Sequence, residues 1–125
     1  MKIRMQPNSI RLRLKRAEVA TLIKENIIEE RMVFGGDQEL RYCLQLSHNI
    51  ENPQATFRAG EILVKVPYDR ATHWALSSDV SIEGAQTITG QTQMQILVEK
   101  DFACLNGTAE QNVDAFPHPL AGTKC

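Results

Sequence analysis

The residues best placed to do chemistry stand at the start of the chain. Lys2 to Gln6 and Ile10 to Leu14 each alternate apolar with polar residues, and Pro7-Asn8 between them suits the centre of a tight turn. A hairpin closed there sets Arg4 opposite Arg11 and Lys2 opposite Arg13 on one face. Met5 with Ile10, and Ile3 with Leu12, then pair on the other face, which the pattern sends into the core. Like charges directly opposed are unfavourable by up to about 1 kcal/mol per pair, so the basic face needs compensation. Carboxylates of a neighbouring strand would supply it, and Glu29, Glu99 and Asp101 all fall on the polar faces of their own strands. A bound phosphate or carboxylate would also supply it, because the planar guanidinium matches both. In that case Arg4, Arg11 and Arg13 would stabilise charge on a small anionic ligand, with Glu29 or Glu99 as general acid or base. Neutralisation within the chain is the simpler expectation.

The only possible cluster of soft metal ligands lies towards the end, as Cys104, His118 and Cys125 with Asp114 as an oxygen donor. Structural zinc sites use tighter cysteine pairs than this spacing of fourteen and seven residues, so no metal and no cofactor is expected. Cys104 reads as a small buried residue and Cys125 as a terminal thiol. His48, His73 and His118 fall in a polar loop, beside Trp74 and in the tail, where solvated or packed roles suffice. The chain has no glycine-rich phosphate loop, no G-x-S-x-G elbow, no H-E-x-x-H and no paired C-x-x-C.

Short elements must position these residues. After the first hairpin, Val19, Leu22 and Ile23 repeat with helical spacing over about Arg16 to Asn26. Ile27 to Phe34 and Leu40 to Ser47 read as strands joined through Gly35-Gly36-Asp37, and Gln54 to Arg58 and Glu61 to Val66 as a hairpin about Ala59-Gly60. Pro67 opens a second short helix marked by Ala71, Trp74 and Ala75. Short strands near Val80 to Ile82 and Gln86 to Thr89 precede a long one from Thr92 to Lys100. The expected fold is α+β, a mainly antiparallel, strongly curved or barrel-like sheet of about eight strands with two short helices. Links shorter than about a dozen residues argue against parallel crossovers. One domain over residues 1–105 is followed by an extended or loose tail over 106–125, and no internal repeat is visible in the residues.

Composition narrows the function classes. The 125 residues are 42% hydrophobic and 23% charged, enough for a core without metal or disulfide. Fourteen basic and fifteen acidic residues give a formal net charge of -1, so no overall field draws the chain to nucleic acid or to an anionic membrane. The aliphatic runs are too short to span a bilayer, and Arg4, Arg11 and Arg13 break up any signal-peptide core. Three cysteines fit a reducing, cytoplasmic compartment.

Asn8 to Leu14 with Glu18-Val19, Val66-Pro67, Trp74-Ala75, Val98 to Phe102 with Cys104-Leu105, and Asp114 to Pro117 resemble a family of small single-domain bacterial proteins of unknown function. The resemblance implies a bacterial, cytoplasmic domain and carries over no activity or catalytic residue. The reading that follows is a non-enzymatic binding or interaction module. Its partner would be a protein, a second copy of the chain or a small anion. The alternative is an enzyme or sensor holding a small anion on the basic hairpin face.

Overall fold

The computed structural model describes residues 1–102 and 114–116. The chain runs β1 (Lys2–Gln6), β2 (Ser9–Leu14), α1 (Arg16–Glu25), β3 (Ile27–Gly35), β4 (Gln38–Ser47), β5 (Gln54–Arg58), β6 (Glu61–Pro67), α2 (Tyr68–Leu76), β7 (Ser81–Thr89) and β8 (Thr92–Lys100). Every strand pairs with its sequence neighbour as an antiparallel hairpin. The α+β class holds, but the strands form two separate four-stranded sheets, ordered β1-β2-β8-β7 and β3-β4-β6-β5, and neither is closed or barrel-like. Both sheets are mixed, because β2 runs parallel to β8 and β4 runs parallel to β6. The loop-length argument against parallel pairing fails because each parallel link has other elements inside it. β5 lies between β4 and β6, and most of the chain lies between β2 and β8.

This topology hides an internal repeat. The unit ββαββ occurs twice, and exchanging β1 to β4 for β5 to β8 maps one sheet onto the other. Register follows the exchange. Leu12 opposite Val98 corresponds to Val64 opposite Leu44, and Ile28 opposite Leu44 corresponds to Ile82 opposite Val98. The bulge between Val33 and Gly35 recurs between Thr87 and Thr89. Arg41 N donates to Gly60 O at 2.9 Å as Gln95 N donates to Asn8 O at 2.8 Å. Buried Val19 and Leu22 of α1 match buried Ala71 and Trp74 of α2. Between the two units only Ile10 and Ile62, Ile28 and Ile82, Glu29 and Glu83, and Gly36 and Gly90 are identical. The two units share pairing and burial pattern but little sequence identity.

The inner faces of both sheets and both helices build one core around Leu12, Leu14, Leu22, Leu44, Val64, Val66, Trp74 and Val98. The helices follow the ends of β2 and β6 and pack on each other, closing that end of the molecule. Trp74 is buried and its indole N–H donates to Val80 O at 3.1 Å, which satisfies its polar atom. The two short strands expected around Gly84 are one strand. Gly84 sits where a Cβ would meet the ring of Pro53 at 2.6 Å, so the glycine permits a close approach of β7 to the start of β5 and does not break the strand. No described helix is long and apolar enough to cross a membrane.

Met5 departs from the expected core set, with 54% of its surface exposed, while Ile10, Leu12 and Leu14 are buried as the alternation requires. Leu12→Ala is expected to cost about 2–5 kcal/mol in a urea titration, the range for truncating a fully packed leucine. A loss below about 0.5 kcal/mol, the scale of surface changes, would contradict this register.

Candidate functional site

At the end away from the helices the two sheets do not close. Between them lies an apolar cavity of about 340 Å³ lined by Met5, Ile10, Leu40, Ala55, Thr56, Phe57, Ile62 and Met94. Three pairs in this lining are exchanged by the internal repeat: Met5 with Phe57, Ile10 with Ile62, and Leu40 with Met94. The cavity therefore lies on the pseudo-twofold axis. Its lining has no titratable side chain, and the Thr56 hydroxyl is its one polar side-chain group.

The position of the cavity follows from strand lengths. The β3–β4 and β7–β8 hairpins run past the β5–β6 and β1–β2 turns, where the Arg41 to Gly60 and Gln95 to Asn8 hydrogen bonds end the central pairing. Leu40 and Met94 stand just beyond those bonds, with no strand beside them on that side. Met5 and Phe57, on the edge strands, are 54% and 70% exposed. Met32, paired with Leu40 on the same face, is exposed as well, as are Phe34 and Ile88 near the tips of the two overhanging hairpins, which adds apolar surface at that end. On the β5 side, Gln86 Oε1 accepts from Ala55 N at 2.7 Å and ties the edges of the two sheets together beside the cavity.

The basic hairpin face lies elsewhere, on the outer side of the β1-β2-β8-β7 sheet. The register pairs Arg4 with Arg11 and Lys2 with Arg13 as the alternation required. Parallel pairing with β8 sets Glu99 beside Arg13, and Arg13 Nε donates to Glu99 Oε1 at 2.5 Å. Arg11 Nε is 3.8 Å from the same oxygen, and Lys2 Nζ is 3.0 Å from Asp101 Oδ2, which accepts no aligned hydrogen bond. Arg4 has no carboxylate within 4.0 Å among the described residues. Glu29 is not part of this face. It lies on the other sheet, in an exposed ladder with Arg31, Glu39, Arg41 and Glu61.

Another group of polar contacts lies where β8 ends beside the helices. Asp114 binds the start of α1, its Oδ2 accepting from Ala17 N at 3.0 Å and its carbonyl from Arg16 N at 3.0 Å, a carboxylate placed at the positive end of the helix. Lys100 is buried at the position that Leu46 occupies in the other repeat. Its Nζ donates to Ser77 O at 2.8 Å and lies 5.8 Å from the Trp74 ring and 5.4 Å from the Phe116 ring. Burial holds its pKa below the ordinary value, with the nearby Asp79 charge opposing. Burial pushes the Cys43 thiol up, with Glu61 and Glu29 adding to the effect, so this thiol is a poor nucleophile.

His48 stacks on Tyr68 with ring centroids 4.2 Å apart, and exposed His73 lies 3.2 Å from Asp79. Cys104, His118 and Cys125 lie outside the described residues, as does most of the 106–125 tail. Among the described residues no group of three or more His, Cys, Asp or Glu is placed to hold a metal ion. The cavity was missed in the sequence because its lining comes from β1, β2, β4, β5, β6 and β8, each contributing one to three residues. The available signal was the placing of Met5 and Met94, flexible side chains, on inward faces of their strands.

Fold and site together define a class: a duplicated α+β domain of two mixed sheets with an apolar cavity on its pseudo-twofold axis. The chain matches the family of unknown function DUF7009 over residues 1–120, and it belongs to that family. No curated protein and no solved structure matches it.

The Lys100 ammonium yields a pH test. Its folded pKa lies below 10.5, so between those two values the unfolded chain binds more protons and stability rises with pH. In Lys100→Leu that rise disappears, while contributions from Tyr42 and Cys43 are common to both proteins and cancel. Urea titrations from pH 7 to 10.5 should therefore show wild type gaining on the variant, by at most about 1.4 kcal/mol per pH unit. Parallel curves would show that the Lys100 pKa is not depressed.

Proposed function

We propose that this chain is a non-enzymatic binding module that takes up a small apolar molecule in the cavity between its sheets. The observation that carries the reading is the cavity itself, about 340 Å³ with an apolar lining drawn from both repeats. That volume falls at the lower end of small-molecule sites, roughly 300–1,000 Å³. An apolar cavity of roughly 150 Å³ holds a benzene ring, so this one has room for about a two-ring aromatic or a medium-length acyl chain. The volume suits a small molecule better than a partner helix, which with its side chains is about 10–12 Å across.

Met5 and Met94 suit a site that adapts to ligand shape, since the thioether chain repacks at little cost. The absence of any titratable group from the lining favours binding over general acid–base chemistry. A cytoplasmic setting belongs to the same proposal, supported by the odd cysteine count, and a bacterial one rests on the family resemblance of the residues.

The test is fluorescence titration with the neutral two-ring probe 6-propionyl-2-(dimethylamino)naphthalene. Saturable enhancement, reversed by a medium-chain alcohol, is expected. Met94→Trp, which fills the cavity, should abolish the enhancement while the protein still melts cooperatively. At a hundredfold excess over Kd the alcohol should stabilise wild type by about 2.7 kcal/mol and Met94→Trp by nothing measurable. No enhancement in wild type, or equal enhancement in a folded Met94→Trp, would overturn the reading.

A further inference from the structure

The geometry points to a second site, independent of the cavity: an oxyanion of the phosphate class bound at Arg4 and Arg11 on the outer face of the β1–β2 hairpin. The chain contains its own comparison. In each sheet one pair of arginines is directly opposed across an antiparallel hairpin, Arg4 with Arg11 and Arg31 with Arg41. The second pair is compensated. Arg31 lies 3.3 Å from Glu29 and 3.7 Å from Glu39, and Arg41 lies 3.8 Å from Glu39 and 3.3 Å from Glu61. The first pair is compensated only in part. Glu99 is committed to Arg13, leaving Arg11 a 3.8 Å contact with the same oxygen, and Asp101 is committed to Lys2. Arg4 has no carboxylate within 4.0 Å among the described residues.

The hollow beside this pair is lined by groups that can donate. Gln6 and Ser9 oppose each other in the next register position, and with Arg4 and Arg11 they line a hollow of about 100 Å³. Two guanidiniums, a carboxamide and a hydroxyl can all donate to one tetrahedral anion, and guanidinium forks bind such oxygens bidentately. Binding would also remove the repulsion between the opposed arginines. A second hollow of about 300 Å³, lined by Lys2, Ile3, Arg4, Arg11 and Arg13, adjoins it and leaves room for the organic part of a phosphate ester. A nucleic-acid backbone is a poor fit. It needs several phosphates neutralised in succession, and here Glu99 and Asp101 interrupt the basic surface.

The test is an amide-resolved NMR titration at pH 7.5 with inorganic phosphate, ionic strength being held constant with sodium chloride. Saturable shifts confined to the amides of Arg4, Gln6, Ser9 and Arg11 are expected. Arg4→Gln and Arg11→Gln should each weaken binding at least tenfold. Glu99→Gln, which releases Arg11 from its distant carboxylate, should tighten it severalfold. Arg58→Gln, removing an exposed arginine of the other sheet that has no ion pair among the described residues, should change nothing. Thermal melts without phosphate provide the folding control, and Arg4→Gln should melt no lower than wild type because it removes a like-charge pair. Glycerol 3-phosphate binding more tightly than phosphate would identify an ester as the ligand; equal affinity would identify the free anion. Linear shifts that chloride reproduces, or equal losses in Arg4→Gln and Arg58→Gln, would overturn the proposal.

Discussion

Everything in this molecule depends on two parallel pairings, β2 with β8 and β4 with β6. Neither repeat contains a complete sheet. Each contributes one hairpin to each sheet, so the hydrogen bonds across the two parallel pairs join the halves through the middle of both layers. The hairpins have local turns to set their register, whereas these ladders have none. Their register is held by burial instead, since a slip of one residue would turn Leu12, Val98, Leu44 and Val64 out of the core.

The same arrangement explains why one end of the molecule is filled and the other is open. Chain direction in both parallel pairs carries β2 and β6 into helices at one end, where Leu22 and Trp74 fill the space between the sheets. No helix among the described residues returns to the other end, where the long hairpins outrun the short ones. Side chains on the pseudo-twofold axis there must cover the opening from both halves, and each half brings the same kind of residue. The breaks in the repeat fall at the helical end. Lys100 replaces a leucine, and Asp114 caps α1 from outside the repeated unit. Burial of Lys100 is tolerated because a carbonyl accepts from the ammonium and two aromatic rings flank it, yet its pKa remains depressed.

Charge on the two outer faces is distributed differently for a related reason. These faces lie on the surface, where individual ion pairs contribute at most about 1 kcal/mol, so folding does not require them to balance. One sheet carries an alternating ladder of arginine and glutamate, while the other leaves two arginines with little company. The imbalance is local and is invisible in the formal net charge of -1.

Much of this was legible in the residues. Alternation and turn chemistry located three of the four hairpins, including the Arg4–Arg11 and Lys2–Arg13 register, and helical spacing placed both short helices, because those signals are local and are satisfied by neighbours in the chain; β7 read as two short strands because Gly84 interrupts its pattern. The carboxylate beside Arg13 was also readable as one of three candidates, though not which one, and Glu29 proved to lie on the other sheet. Tertiary structure alone decided that the strands divide into two mixed sheets, that Met5 lines an opening instead of the core, and that Phe57, Leu40 and Met94 meet. Parallel pairing between distant strands is carried by generic inward-facing aliphatics that fit many partners, so the sequence determined which faces are buried and left to packing the choice of what each face is buried against.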